Sequence, residues 1–103
     1  MELTSILKNF LNESGKLTAF PAKRKMKIYA LLYLAQKFEP NRDYAEREIN
    51  DIQLDWHTFA DPATLRRELY DYRFLDRSPD GKIYRLALQL PEADAEAWVQ
   101  AHL

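Results

Sequence analysis

The amino-acid sequence predicts an α+β chain, mainly α: a winged helix-turn-helix with an extra helix at each end and a C-terminal β-hairpin as its wing. Three observations predict it. Apolar residues recur at helical spacing in three successive segments between residues 22 and 73. The pair Asp61-Pro62 marks the start of the last segment, and from Phe74 the period switches to two around Ser78-Pro79-Asp80-Gly81. A length of 103 residues holds one core, so residues 1–103 read as a single winged-helix domain, with an N-terminal helix at 1–15, the core at 22–88 and a closing helix at 92–103.

Leu3, Ile6, Leu7, Phe10 and Leu11 form one helical stripe, and Gly15 follows where a left-handed C-cap belongs. Phe20-Pro21 disfavours helix at Phe20, after which a second helix is expected from about 22 to 38, burying Ile28, Leu31, Leu32, Ala35 and Phe38. Beyond Glu39-Pro40-Asn41-Arg42, the spacing of Ala45, Ile49, Ile52 and Trp56 predicts a third, short helix that leaves Glu46, Arg47, Glu48 and Asp51 to water. Asp61 as N-cap and Pro62 at the first helical position open a fourth helix striped by Leu65, Leu69 and Tyr72. Pro79-Asp80-Gly81 suits a type I turn closed by a left-handed glycine, with Tyr84, Leu86 and Leu88 alternating inward on the returning strand. Past Pro91, acids in a first turn and Trp98 in the body suit the closing helix.

Composition narrows the function classes. With 47% hydrophobic and 30% charged residues the chain is globular in character rather than disordered. It shows neither a signal-like leader nor an apolar run long enough to span a membrane, and it lacks cysteine, so the expected location is cytoplasmic and no disulfide or thiolate chemistry is expected. His57 and His102 are the only histidines and are too far apart for a two-ligand helical motif, so no metal is expected; His57 is expected to cap the third helix or lie half-buried beside Trp56. Two glycines, Gly15 and Gly81, build neither a phosphate-cradling loop nor a dinucleotide fingerprint, and no cofactor or small-molecule substrate is evident. Ser5, Ser14 and Ser78 lack the glycines of a nucleophile elbow, and Glu46, Glu48 and Asp51 fall on a predicted solvent face. The chain is therefore expected not to be an enzyme.

A net charge of -1 supplies no global attraction to nucleic acid, so an anionic partner must meet a local patch. Five cations and no acid lie between Lys16 and Lys27, and Lys23, Arg24, Lys25 and Lys27 stand at the positive end of the second helix, where the dipole opposes them. In a winged helix the helix before the hairpin faces the major groove. Here its outward side offers Arg66, Tyr70 and Arg73 at i, i+4 and i+7, with Thr64 and Arg67 nearby, while Arg77, Lys82 and Arg85 decorate the wing. These twelve residues are the candidate nucleic-acid site. The competing reading is local ion pairing: Arg67 with Asp71, and Arg77 and Arg85 with Asp76 and Asp80.

An ordered set of residues also carries a resemblance: Gly15-Lys16-Leu17, Phe20-Pro21-Ala22-Lys23, Leu31 to Ala35, Phe38-Glu39-Pro40, Arg42-Asp43-Tyr44, Glu48-Ile49-Asn50, His57, Asp61, Ala63-Thr64-Leu65-Arg66-Arg67, Leu69, Asp71, Leu75, Arg77, Gly81 and Tyr84. It resembles the bacterial domain family DUF2087 over roughly residues 14–86. Members occurring alone or joined to ArsR-like helix-turn-helix regulators imply a link to transcription control. The chain departs from the family pattern at Tyr72-Arg73-Phe74, where relatives leave the helix through a glycine-containing D-x-G-L, so a bulkier and less mobile helix end is expected. Together these readings predict a non-catalytic, DNA-binding transcriptional regulator with double-stranded DNA as partner. The alternative is an interaction or dimerisation module that meets a second copy or a regulator through Leu3, Phe10, Trp98 and Leu103.

Overall fold

A computed structural model describes residues 3–87 together with Val99 and Gln100. Among them are α1 (Leu3–Ile6), a 3-10 turn (Lys8–Phe10), α2 (Arg24–Ala35), β1 (Tyr44–Ala45), α3 (Glu46–Trp56), α4 (Pro62–Asp71), β2 (Leu75–Arg77) and β3 (Ile83–Leu86). The strands form one antiparallel sheet in the order β1-β3-β2, so the chain is α+β with four helices and a three-stranded sheet. None of the described helices is long and apolar enough to cross a membrane.

The expected helix at 1–15 is corrected. The helix stops at Ile6, a 3-10 turn follows, and Leu11 instead pairs with Leu17 across a loop. Asn12 provides the physical reason: its side-chain oxygen accepts the amides of Ser14 and Lys16, both at 2.9 Å, offering the backbone a turn in place of further helix. Gly15 takes its left-handed φ of 78° inside this turn, not as a helix cap. The apolar stripe still reaches the core, with Leu3 and Leu7 buried and Ile6, Phe10 and Leu11 packed against it.

Helix α2 is the centre of that core. The sequence predicts a one-sided stripe, yet every residue from Ile28 to Ala35 is buried, because α1 and α4 contact the helix and the loop at Gly15 covers Tyr33, whose hydroxyl donates to the Gly15 carbonyl at 2.7 Å. Its cationic start is the one part left in water, with Lys23, Arg24 and Lys25 exposed. The third helix begins one residue later than its apolar spacing suggests, since Tyr44 and Ala45 form β1; the Glu48 carboxylate then accepts the Ala45 amide at 3.1 Å and secures the helix start. Pairing is Tyr44 with Tyr84 and Ala45 with Ile83, and on the other side Leu75 with Leu86, Asp76 with Arg85 and Arg77 with Tyr84.

Helix α4 starts as its sequence signals require: the Asp61 side chain accepts the Thr64 amide at 3.3 Å and Pro62 occupies the first turn. At its end the Phe74 amide reaches the Leu69 carbonyl at 2.8 Å and the Arg73 amide reaches that of Tyr70 at 3.0 Å, a Schellman closure with Arg73 in the left-handed region at φ 65°. In the hairpin turn Ser78 Oγ donates to the Asp80 carboxylate at 2.5 Å and Gly81 adopts φ 74°, as the turn chemistry predicts. Tyr84 is buried and Leu86 half-buried as expected, whereas Leu88 lies outside the described residues. The closing helix expected at 92–103 also lies outside them, save that Val99 is fully buried in the core.

The corner between α3 and α4 turns on His57, which does end α3 but is buried rather than half-buried, at 4% exposure. Its Nδ1 meets the Gln53 carbonyl at 2.5 Å, and its Nε2 accepts the Asp61 amide at 2.8 Å, an arrangement that requires a neutral ring protonated on Nδ1. Beside it the Leu17 amide donates to the Trp56 carbonyl at 2.8 Å and the Thr58 amide to the Leu17 carbonyl at 3.0 Å.

Two stability measurements follow. His57→Leu, which keeps volume and removes both hydrogen bonds, is expected to lower unfolding stability by about 2–4 kcal/mol in urea melts, and a loss below about 1 kcal/mol contradicts the corner's role. Arg73→Gly removes left-handed strain from an exposed side chain and is expected to raise the same stability by about 1 kcal/mol, with an unchanged or lower midpoint as the contrary result.

Candidate functional site

A half-open polar cleft of about 280 Å³ lies between the start of α3, the outward face of α4 and the hairpin, lined by Glu46, Ala63, Arg66, Arg67, Tyr70, Arg77 and Tyr84. Four of the twelve sequence-predicted residues, Arg66, Arg67, Tyr70 and Arg77, meet here. Positions 63, 66, 67 and 70 share the solvent face of α4 because residues three and four apart stack along one side of a helix, while Leu65 and Leu69 are buried beneath. Arg77 and Tyr84 are register partners on β2 and β3, which brings both to the same edge of the cleft.

The three arginines and Tyr70 differ in how they are held. Arg66 is pinned: Nη1 donates to Asn50 Oδ1 at 2.5 Å, Nη2 lies 3.3 Å from Glu46 Oε1, and its side chain is only 19% exposed. Arg77 is placed by neutral groups. Its guanidinium stands 4.5 Å above the Tyr70 ring, and a hydrogen bond with the Tyr84 hydroxyl, followed by the proximity of Tyr70, holds its pKa above the ordinary arginine value. Arg67 is exposed and has no ion pair among the described residues, so the expected pairing with Asp71 does not form. Tyr70 is 37% exposed, one of few large apolar side chains so open to water.

The remaining candidates scatter. Arg85 is neutralised by Asp43, with Nε at 2.8 Å and Nη2 at 2.6 Å from the same carboxylate oxygen, and not by Asp76 or Asp80 as the local reading has it. Asp80 instead closes the turn through Ser78 and the Lys82 amide, which hold its carboxyl below the usual range, and the Lys82 side chain stays exposed. Thr64 serves the N-cap through its amide, and Arg73 lies past the end of α4 rather than on its outward face. At the start of α2, Arg24 stands 5.8 Å over the Tyr72 ring and Lys27 5.5 Å over that of Phe20, which moderates their dipole penalty, while Lys23 and Lys25 are exposed without ion pairs among the described residues. Arg24 thus meets α4 at its C-terminal cap, and no residue of the α2 cluster lines the cleft.

The chain matches, over residues 16–86, the model of the family DUF2087, described as an uncharacterized protein conserved in bacteria. It belongs to that family. The DUF2087 span includes every residue lining the cleft and leaves out α1. No curated protein and no solved structure matches the chain.

Sequence reasoning about this DUF2087 chain missed Glu46, Asn50, Asp43 and Tyr84. The first three partner arginines many positions away, a relation no local spacing carries. Tyr84 was legible in principle, because a hairpin turned at Asp80-Gly81 puts it opposite Arg77. Also unforeseen is Lys37, whose ammonium lies 3.9 Å from the Trp56 ring centre and 4.2 Å from that of Tyr33, its pKa lowered by desolvation. It seals the core edge beside Gly15 rather than joining the cleft. Among the described residues no group of histidines or carboxylates is set to hold a metal ion.

Proposed function

We propose that this chain is a DNA-binding module of winged-helix type that acts in transcription control. The observation that carries the reading is topological: α2, β1, α3, α4, β2 and β3 follow one another in the winged-helix order, and β1 pairs on the free side of β3 so that α4 and the hairpin stand side by side. In this reading α4 enters the major groove with Ala63, Arg67 and Tyr70 outward, and the turn at 78–82 is the wing, with Lys82 on the phosphate backbone. Arg66 supports the helix face through Glu46 and Asn50 instead of reading bases, and Lys23 and Lys25 add long-range attraction.

The rival reading, a protein-interaction module, draws on the neutralisation of Arg66 and Arg85 and on Leu54 and Ile83, exposed by 46% and 41%. Its version with Leu3 and Phe10 as contact residues is set aside, since Leu3 is buried and Phe10 packs on the core; Trp98 and Leu103 lie outside the described residues.

Anisotropy of labelled random duplex separates the two readings. DNA binding is expected in the micromolar range at about 50 mM salt, weaker by about a hundredfold at about 200 mM for some four phosphate contacts. Arg67→Ala with Lys82→Ala is expected to weaken it by about tenfold or more at the lower salt. An absence of binding at low salt sinks the DNA reading and directs attention to partner proteins.

A further inference from the structure

The cleft carries an uneven charge balance that the arrangement of its donors makes specific. Three guanidinium groups line it against one carboxylate, and that carboxylate, Glu46, is already taken by Arg66 at 3.3 Å. Arg67 and Arg77 therefore face the same space with no acid partner among the described residues. Arg77 stands 4.5 Å over the uncharged ring of Tyr70 and opposite Tyr84 in the hairpin register, so no carboxylate among the described residues spends its charge. A cation ordered in advance loses little freedom on meeting an anion, and guanidinium forks match the oxygens of a phosphate. The space, about 280 Å³ and polar in its walls, suits a group of a few oxygens rather than an extended apolar ligand.

We propose that this cleft binds a phosphate group as a dianion or diester, with Arg67 and Arg77 as the forked donors and the Tyr70 hydroxyl beside them. The phosphate has two sources: the backbone of a duplex, in which case the site rests on the DNA reading above and locates its anchor, or a free phosphorylated small molecule, in which case the site stands apart from that reading.

The test follows the side-chain Nε–H signals of isotope-labelled full-length protein while inorganic phosphate is added at constant ionic strength set with sodium chloride. Saturable shifts at Arg67 and Arg77 are expected, with affinity weakened about tenfold in Arg67→Gln and in Arg77→Gln and unchanged in Lys8→Ala. Both arginines are exposed, and thermal melts of each variant verify that the fold is retained. Shifts that grow linearly without saturating, or affinity equal in Arg67→Gln and the parent, overturn the proposal. Repeating the titration with saturating short duplex distinguishes the sources: exclusion of phosphate by duplex identifies the backbone, and simultaneous binding identifies a free anion. Duplex binding without phosphate binding overturns the cleft and leaves the DNA reading intact, whereas phosphate binding without duplex binding does the reverse.

Discussion

The aim of the whole outward face depends on the corner closed by His57. One imidazole joins the Gln53 carbonyl in the last turn of α3 to the amide of Asp61, the N-cap of α4, taking a donor's and an acceptor's role on its two nitrogens. Leu17, paired with both Leu11 and the residue at the corner, ties the N-terminal loop to the same point. Because the corner sets the angle of α4 against α3, it also decides that Arg66 comes within reach of Glu46 and Asn50. A change in that angle would release Arg66, reopen its pairing and remove one wall of the cleft. The residue that fixes the site thus lies outside it and touches none of its charges.

The second constraint is α2, buried on all sides from Ile28 to Ala35. A helix surrounded in this way can hold charge only at its ends. The cations at 23–27 occupy the N-terminal end, against the dipole, and two of them rest over aromatic rings. At the other end Lys37 lies over Trp56 and Tyr33, partly desolvated. The same helix therefore supports the core and determines where charge is allowed to appear around it.

How much of this was legible in the sequence follows from the range of each signal. Asp61-Pro62 and Pro79-Asp80-Gly81 act through bonds only a few residues long, and α4 and the hairpin appear where those signals place them. The first helix was misread because a stripe at helical spacing also fits a broken chain whose apolar residues all still face inward; the deciding signal was Asn12, a residue that bonds its own turn. Two-residue β1 left no period to detect, and its existence depends on β3, about forty positions on. The cleft was half legible: helical spacing grouped Arg66, Arg67 and Tyr70, but nothing local told which arginine would be neutralised.

That last distinction also resolves the tension between a slightly acidic chain and a proposed anionic partner. Acids in this protein are not spread evenly against its cations. Glu46 and Asp43 are committed to Arg66 and Arg85, and Glu39 and Glu48 to Arg42, so these arginines contribute position more than field. Arg67, Arg77 and Lys82 remain on the α4 and hairpin side with no acid partner among the described residues. A sum near zero is then compatible with a locally positive cleft, because binding responds to the charges within a Debye length of about 8 Å and not to the total.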